Sequence, residues 1–375
     1  MKTHELLEDQ ESKRESYLTR IIESRAPRKI IIAGPGTGKT FAFGKVLRNS
    51  GESDNLAITF IRKLVADMEC ELDDYAEVKT FHAYCKKLLH AKTGRFELVP
   101  FLTAVIESDA NLLHTGYMDF DTKFQTLQET SKEVRFYLRR GDYYNAVSFN
   151  DSVFRLYQLI RDNRYELPEL NQIVVDEFQD FNPLEVAFIE ELEKRSPVLI
   201  VGDDDQAVYR ARNSSPDFLR QKYHSGEYEI FELPFCSRCP SVVVDATNAF
   251  IEKIIEAGAF ESRIERPFVP YFEGKKYENS TYPKLIEATT TTVQTLGKFI
   301  TTQIKEIPEA EIAESHKDDY PTVLVVGQRQ YLNSLHKHLS GVFSNVEFSQ
   351  SKDSGYTYTD HYVCTFQTEL GFNKA

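Results

Sequence analysis

The densest chemistry in the sequence is GPGTGKT, Gly34 to Thr40, a glycine-rich loop ending in the G-K-[ST] signature of phosphate binding. Gly34, Pro35, Gly36, Thr37 and Gly38 would turn the chain tightly enough to aim several backbone N–H groups at phosphate oxygens, with glycine permitting the close approach. The helix that starts there adds its positive end. Lys39 would reach the outer phosphates and Thr40 would hold Mg²⁺. The other half of such a site is a carboxylate from a neighbouring strand, and IVVDEFQD supplies it. Asp176 stands where the apolar run stops and can hold the metal, usually through water. Glu177 is placed to orient or deprotonate the attacking water. A buried acidic pair on a strand end would be costly without a cation. ATP and Mg²⁺ are the expected ligands.

These loops need strands to hold them. KIII before the glycine loop, LAITF (Leu56 to Phe60), QIVVDE (Gln172 to Glu177) and SPVLIVGD (Ser196 to Asp203) are short, uninterrupted apolar runs, which suit parallel strands buried on both faces. They alternate with helical stretches, so the expected fold class is α/β, a P-loop NTPase with a doubly wound parallel sheet. Residues 1–28 read as a charged helix. From about Pro100 to Glu166, Tyr, Phe, Leu, Arg and Lys mix at helical spacing with few strand cues, the pattern of an inserted helical subdomain. Beyond EIFELPF (Glu229 to Phe235) come a helix from Ser241 to Ala257, a polar, Tyr-rich linker near Glu273 to Tyr282, a strand at TVLVVG followed by a helix to about Leu339, and a last strand at HYVCTF.

Bulk composition narrows the class without deciding it. The 375 residues are 41% hydrophobic and 27% charged, ordinary for a globular protein of two to three domains. No apolar run approaches the roughly 20 residues needed to cross a bilayer. The charged N-terminal sequence has no signal core, so a cytoplasmic location is the expectation. Five cysteines, Cys70, Cys85, Cys236, Cys239 and Cys364, do not form a disulfide framework, and the C-x-x-C at Cys236 and Cys239 lacks a second ligand pair for zinc. A net charge of −13 argues against coating DNA by bulk attraction but leaves room for a local basic groove.

The ordered set GPGTGKT, ITFIRK, KTFHAY, VVDEFQD, VGDDDQAVY and LPFCSR resembles the UvrD/Rep branch of superfamily 1 DNA helicases, with the resemblance covering residues 30 to 250 best. It implies a RecA-like first lobe over 1–92 and 165–235, a helical insertion over 93–164, and a partial second RecA-like lobe over 236–375 without the family's large further insertion. It implies a catalytic set of Glu177, Gln206 and Arg238. Gln206 would sense the γ-phosphate, against the plain reading of a helix-start amide. Arg238 would be offered across the cleft to stabilise developing charge, against a surface ion pair. Gln179 and Asp180 would link the acidic motif to neighbouring loops. Thr59, Phe60 and Arg62, then Thr80, Phe81 and His82, match segments that touch the nucleic-acid backbone, and Tyr209 and Arg212 would line the same groove. For Phe60 and Phe81, core packing is an equal alternative. Gln10 stands where the family's adenine-reading glutamine would be, but lacks its surrounding pattern and reads as a solvated helix residue.

The sequence also departs from the family. Ala211 replaces a base-stacking tryptophan, and the chain has no tryptophan at all. Ser237 replaces a tyrosine that stacks on adenine. HYVCTFQTELGF lacks the lysine of the family's K-G-L-E segment, and the final arginine motif is absent, so the chain reads as cut short at its C-terminus. Two functions follow as expectations. One is an ATP-dependent helicase or translocase moving 3′-to-5′ along single-stranded DNA, with RNA left open. The other is a nucleotide-gated DNA-binding or regulatory subunit, in repair or anti-phage defence, whose protein partner supplies the absent motif. An AAA-type ATPase is disfavoured by VGDDDQ.

Overall fold

A computed structural model of the chain describes residues 2–51, 54–59, 65, 68, 72, 74–94, 96–207, 212–260, 262–271, 284–307, 323–343, 346 and 361–366. The chain divides into two compact units, Met1–Leu285 and Ile286–Ala375.

The first unit is built on strands β1 (Arg28–Ala33), β2 (Asn55–Thr59), β3 (Glu77–Thr80), the two-residue β4 (Glu97–Leu98) and β5 (Ala146–Val147), β6 (Gln172–Val175), β7 (Val198–Gly202) and β8 (Glu229–Leu233). Six of them form one sheet in the order β3-β2-β6-β7-β1-β8. Every pair in it is parallel. The apolar runs explain why. Alternate side chains of a strand point to opposite faces, so a run without polar interruption can sit only where both faces are covered. Ile30, Ile32, Leu56, Ile58, Ile173, Val175, Val198 and Ile200 face one core. Ile31, Ala33, Ala57, Val174, Leu199 and Val201 face the other. This is the α/β P-loop architecture that the motifs predict.

Helices α1 (Lys2–Glu23) and α2 (Lys39–Asn49) cover the second face through Ile21, Phe43, Val46 and Leu47. On the first face lies α3 (Phe81–Thr93), capped by Thr80, whose side chain accepts from the Ala83 N–H at 3.3 Å, and closed by Gly94 in the left-handed region. Four helices follow, α4 (Leu102–Leu112), α5 (Phe120–Gln125), α6 (Lys132–Tyr144) and α7 (Phe149–Arg161). Their aromatic centre, Phe120, Phe124, Tyr137 and Phe154, is continuous with the core on that face of the sheet. Helix α8 (Pro183–Glu193) begins with a reciprocal capping box between Asn182 and Glu185 and carries Pro at its first position. Beyond α9 (Asp217–His224) and β8, the unit continues with β9 (Phe235–Cys236), α10 (Ser241–Glu256) and β10 (Val269–Pro270), where β9 and β10 pair in parallel.

In the second unit, α11 (Val293–Lys305) and α12 (Arg329–Ser340) accompany an antiparallel pair, β11 (Val323–Gln328) and β12 (His361–Phe366). Ile304, Leu332, Leu335 and Leu339 form its core. The linker expected near Glu273 to Tyr282 lies outside the described residues, among which no helix is long and apolar enough to cross a membrane.

Phe81 is fully buried and packs edge-on against Phe181 and Phe188, both at 5.5 Å between ring centres. Phe81→Ala should therefore destabilise the first unit by about 3–5 kcal/mol, the ordinary cost of an aromatic-to-alanine cavity. A urea melt in which this variant and the parent unfold at the same midpoint would contradict that packing.

Candidate nucleotide site

In a parallel sheet the C-terminal ends of neighbouring strands share one rim. The loops after β6, β7 and β1 are therefore brought side by side, and they are the three that carry IVVDEFQD, VGDDDQ and GPGTGKT. The glycine loop turns tightly: Gly36 has φ 69°, and Gly38, at φ 88°, is the N-cap of α2. Thr37 is buried and its hydroxyl donates to the Gly34 carbonyl at 2.9 Å, closing the turn. Lys39 opens the helix. Its ammonium donates to the Ala33 carbonyl at 3.4 Å and stands 3.8 Å from Glu177 Oε1. Thr40 is exposed in the first turn of α2.

Asp176 is 3% exposed, and its backbone N–H donates to Ile58 O at 2.9 Å. Its Oδ1 finds no hydrogen-bond partner among the described residues. Burial, followed by the neighbouring Glu177 charge, pushes its pKa up to about 7, against the pull of Lys39. A buried carboxylate oxygen without a donor, beside a lysine and a phosphate-binding turn, fits the ligand set of a divalent cation on a nucleotide. Glu177 itself sits in the left-handed region, φ 53° and ψ 45°. Gln179, 1% exposed, donates to Glu177 Oε2 at 2.7 Å and accepts from the Asp203 N–H at 3.0 Å, so one amide ties the acidic loop to the next. This is the linking role expected of Gln179. Gln206 donates to Asp203 Oδ2 at 2.5 Å.

Asp203, Asp204 and Asp205 bring carboxylate oxygens within 4.8 Å of one another, a spacing that could suit a metal ion. Arginines already fill that role. Arg266 reaches all three, Arg220 donates to Asp204 at 2.9 Å, and Arg263 binds Asp205 through both Nε and Nη2. Three guanidiniums against three carboxylates leave no charge for a cation to balance.

The stretch after β8 closes over the glycine loop. Ser237 N–H donates to Gly36 O at 2.9 Å, and the Cys236 thiol donates to Pro35 O at 3.2 Å. The Cys239 N–H donates to Cys236 Sγ at 3.4 Å. Arg238 lies so close that a Cβ on Gly36 would be 2.4 Å from its own. A Cβ on Gly34 would meet the Phe268 ring at 2.9 Å. Gln10 donates to the Pro270 carbonyl at 3.3 Å. Of the nucleotide residues expected from sequence, the glycine loop, Asp176, Glu177, Gln206 and Arg238 thus gather at one rim.

The nucleic-acid segments are more dispersed. Phe60, Arg62 and Tyr209 lie outside the described residues. Thr59 ends β2, fully buried, with a hydroxyl that finds no partner among the described residues. Thr80 caps α3, and Phe81 points into the core with no surface to offer a base. His82 Nε2 is 3.5 Å, and Arg212 Nη2 3.6 Å, from the same oxygen of buried Glu185. Sequence reasoning missed Asp203, Glu185, Arg266 and Phe268. Asp203 lay in view inside VGDDDQ, and Glu185 follows the acidic motif at the N3 position of a capping box. Nothing local marks Arg266 or Phe268.

A family model described as an AAA domain matches residues 19–212. The matched span contains all three rim loops. DNA helicase II of Haemophilus influenzae is 24% identical over 277 residues, 59% of this chain and 38% of the relative. ATP-dependent DNA helicase Rep of Buchnera aphidicola subsp. Acyrthosiphon pisum is 25% identical over 315 residues, 69% of this chain and 46% of the relative. The chain thus spans less than half the length of these curated relatives.

Two outcomes follow from the geometry. Gly36→Ala combines a positive φ with a collision against Arg238, so nucleotide affinity should fall about tenfold or more. Equal ATP binding by that variant and the parent would refute the tight closure. For Asp176, the folded pKa lies above the unfolded value near 4. Stability contributed by the protonated form is present below that value and lost as pH rises through about 7. Without Mg²⁺, Asp176→Asn should therefore melt higher than the parent at pH 8, with the gap narrowing toward pH 5. A gap independent of pH would count against a buried, raised Asp176.

Proposed function

We propose that this chain, which belongs to the AAA domain family and to the UvrD/Rep-like superfamily 1 helicases, hydrolyses ATP and couples that hydrolysis to movement along single-stranded DNA. The observation that carries the reading is Lys39, Glu177 and Asp176 meeting at one sheet rim, where the buried Oδ1 of Asp176 finds no donor among the described residues. The backbone of Gly34, Pro35, Gly36, Thr37 and Gly38 cradles the phosphates, and Lys39 neutralises their charge. Thr40 and Asp176 would hold a magnesium ion, which would supply charge stabilisation to the transferring phosphoryl group. Glu177, steadied by Gln179, accepts a proton from the attacking water. Gln206 reads the γ-phosphate, and Arg238 offers its guanidinium to developing charge.

The relatives are named DNA helicases, which supports DNA as the polymer. Direction of travel, 3′-to-5′, is proposed from the resemblance. Thr59, Thr80 and His82 are proposed backbone contacts, joined by Phe60, Arg62 and Tyr209. Phe81 packs in the core against Phe181 and Phe188, and Arg212 lies against buried Glu185. The division into 1–92 with 165–235, 93–164, and 236–375 is proposed with it.

Turnover of the full chain with and without a single-stranded oligonucleotide tests this. Stimulation is expected in the parent. Lys39→Ala should abolish nucleotide binding, whereas Glu177→Gln should retain binding and lose at least about a hundredfold in turnover, the usual worth of a positioned base. Full activity in Glu177→Gln would remove it as the base. A parent that binds ATP and DNA but shows no stimulation would favour a nucleotide-gated binding module.

A further inference from the structure

The γ-phosphate role of Gln206 leaves open what aims its amide. Gln206 Nε2 donates to Asp203 Oδ2 at 2.5 Å, and Gln206 N–H donates to Asp203 O at 3.1 Å. A carboxamide nitrogen carries two hydrogens. Asp203 takes one and leaves the other for a second acceptor. Because the acceptor is a carboxylate, the amide cannot sit the other way round without setting oxygen against oxygen. Asp203 therefore fixes which end of Gln206 is presented.

Asp203 is itself fully buried, and burial raises its pKa, opposed by Arg266, Gln206 and Lys39. It holds Gln206 well only while it is ionised and still. Arg266 provides both conditions. Its Nη2 binds Asp203 Oδ1 and donates to Asp205 Oδ2 at 2.8 Å, and its Nη1 donates to Asp204 Oδ1 at 2.7 Å. Burial works against the Arg266 charge, but the three carboxylates outweigh it and raise its pKa. A guanidinium keeps its charge at any ordinary pH, and its planar fork spans three carboxylates as a lysine cannot. The side chain is 4% exposed and turned inward on this loop. Two residues along the chain, Phe268 lies against Gly34 of the phosphate turn.

We propose that Arg266 is a positioning residue for the nucleotide-sensing amide. It acts through Asp203 to orient Gln206, so that a triphosphate and a diphosphate are told apart. The inference rests on reading Gln206 as the γ-phosphate sensor, and it adds to that reading a residue 60 positions downstream of it.

The test is the ratio of affinities for Mg–ATPγS and Mg–ADP, measured on the full chain by displacement of a fluorescent nucleotide, with thermal melts alongside. Gln206→Ala should lower the ratio about fivefold or more, the low end of ordinary coupling between sites. Arg266→Gln should lower it in the same direction with ADP affinity kept, and Arg266→Lys should fall between. The double variant Arg266→Gln/Gln206→Ala should be no worse than Gln206→Ala alone, since the two act in series. Asp203→Asn keeps the shape, weakens the hold on the amide and decides the matter if Arg266→Gln does not fold. A ratio unchanged in Arg266→Gln and Asp203→Asn, but lowered in Gln206→Ala, overturns the role of Arg266 and leaves the sensor reading intact. A ratio unchanged in Gln206→Ala overturns the sensor reading itself, and the role of Arg266 with it.

Discussion

Buried negative charge governs the rim of this sheet. Asp176 and Asp203 leave the ends of β6 and β7 with almost no access to water, and an ionised carboxylate in such a place needs a compensating cation or surrenders its charge. The protein answers in two ways. At Asp203 the cation is built in: Arg266 comes from the far side of α10 and neutralises the carboxylate permanently. At Asp176 the compensation is incomplete, with Lys39 nearby and one oxygen without a donor among the described residues. One carboxylate is thereby a fixed part of the scaffold, while its neighbour keeps a charge that the protein compensates only in part.

That division of labour needs all three loops to stay in register, and the parallel sheet supplies it. β1 pairs with β7, and β7 with β6, residue against residue, so a slip of one position would exchange the side chains of the two faces and carry one rim loop out of line with its neighbours. Above the rim the connections are single side chains. Gln179 joins Glu177 to Asp203, and Asp203 joins Gln206 to Arg266. The segment from Cys236 to Tyr271 then folds back over the phosphate turn, through Ser237, Arg238 and Phe268.

Much of this was legible in the chain alone. The strands announced themselves as unbroken apolar runs, and the glycine loop and DEFQD carried their chemistry in consecutive residues. What stayed hidden depended on distance. Arg266 meets Asp203 across 63 positions, and neither its neighbours nor its spacing marks it. Phe81 looked as suited to stacking on a base as to filling a core, and only the placement of Phe181 and Phe188 around it separates the two. Arg212 likewise reads as a groove cation until Glu185 is found beneath it. Local pattern identifies the elements and the reactive residues; which long-range partner each side chain meets is decided by packing that a linear reading cannot follow.

The left-handed backbone at Glu177 has an evolutionary corollary. Glutamate occupies that conformation reluctantly, whereas glycine or asparagine would adopt it with little strain. Laboratory selection for heat resistance alone would thus be drawn to replace this residue, gaining robustness while discarding its carboxylate. On the proposed role of Glu177, chemistry and folding favour different residues at this position, and variants recovered from such a screen would record how far the two pull apart.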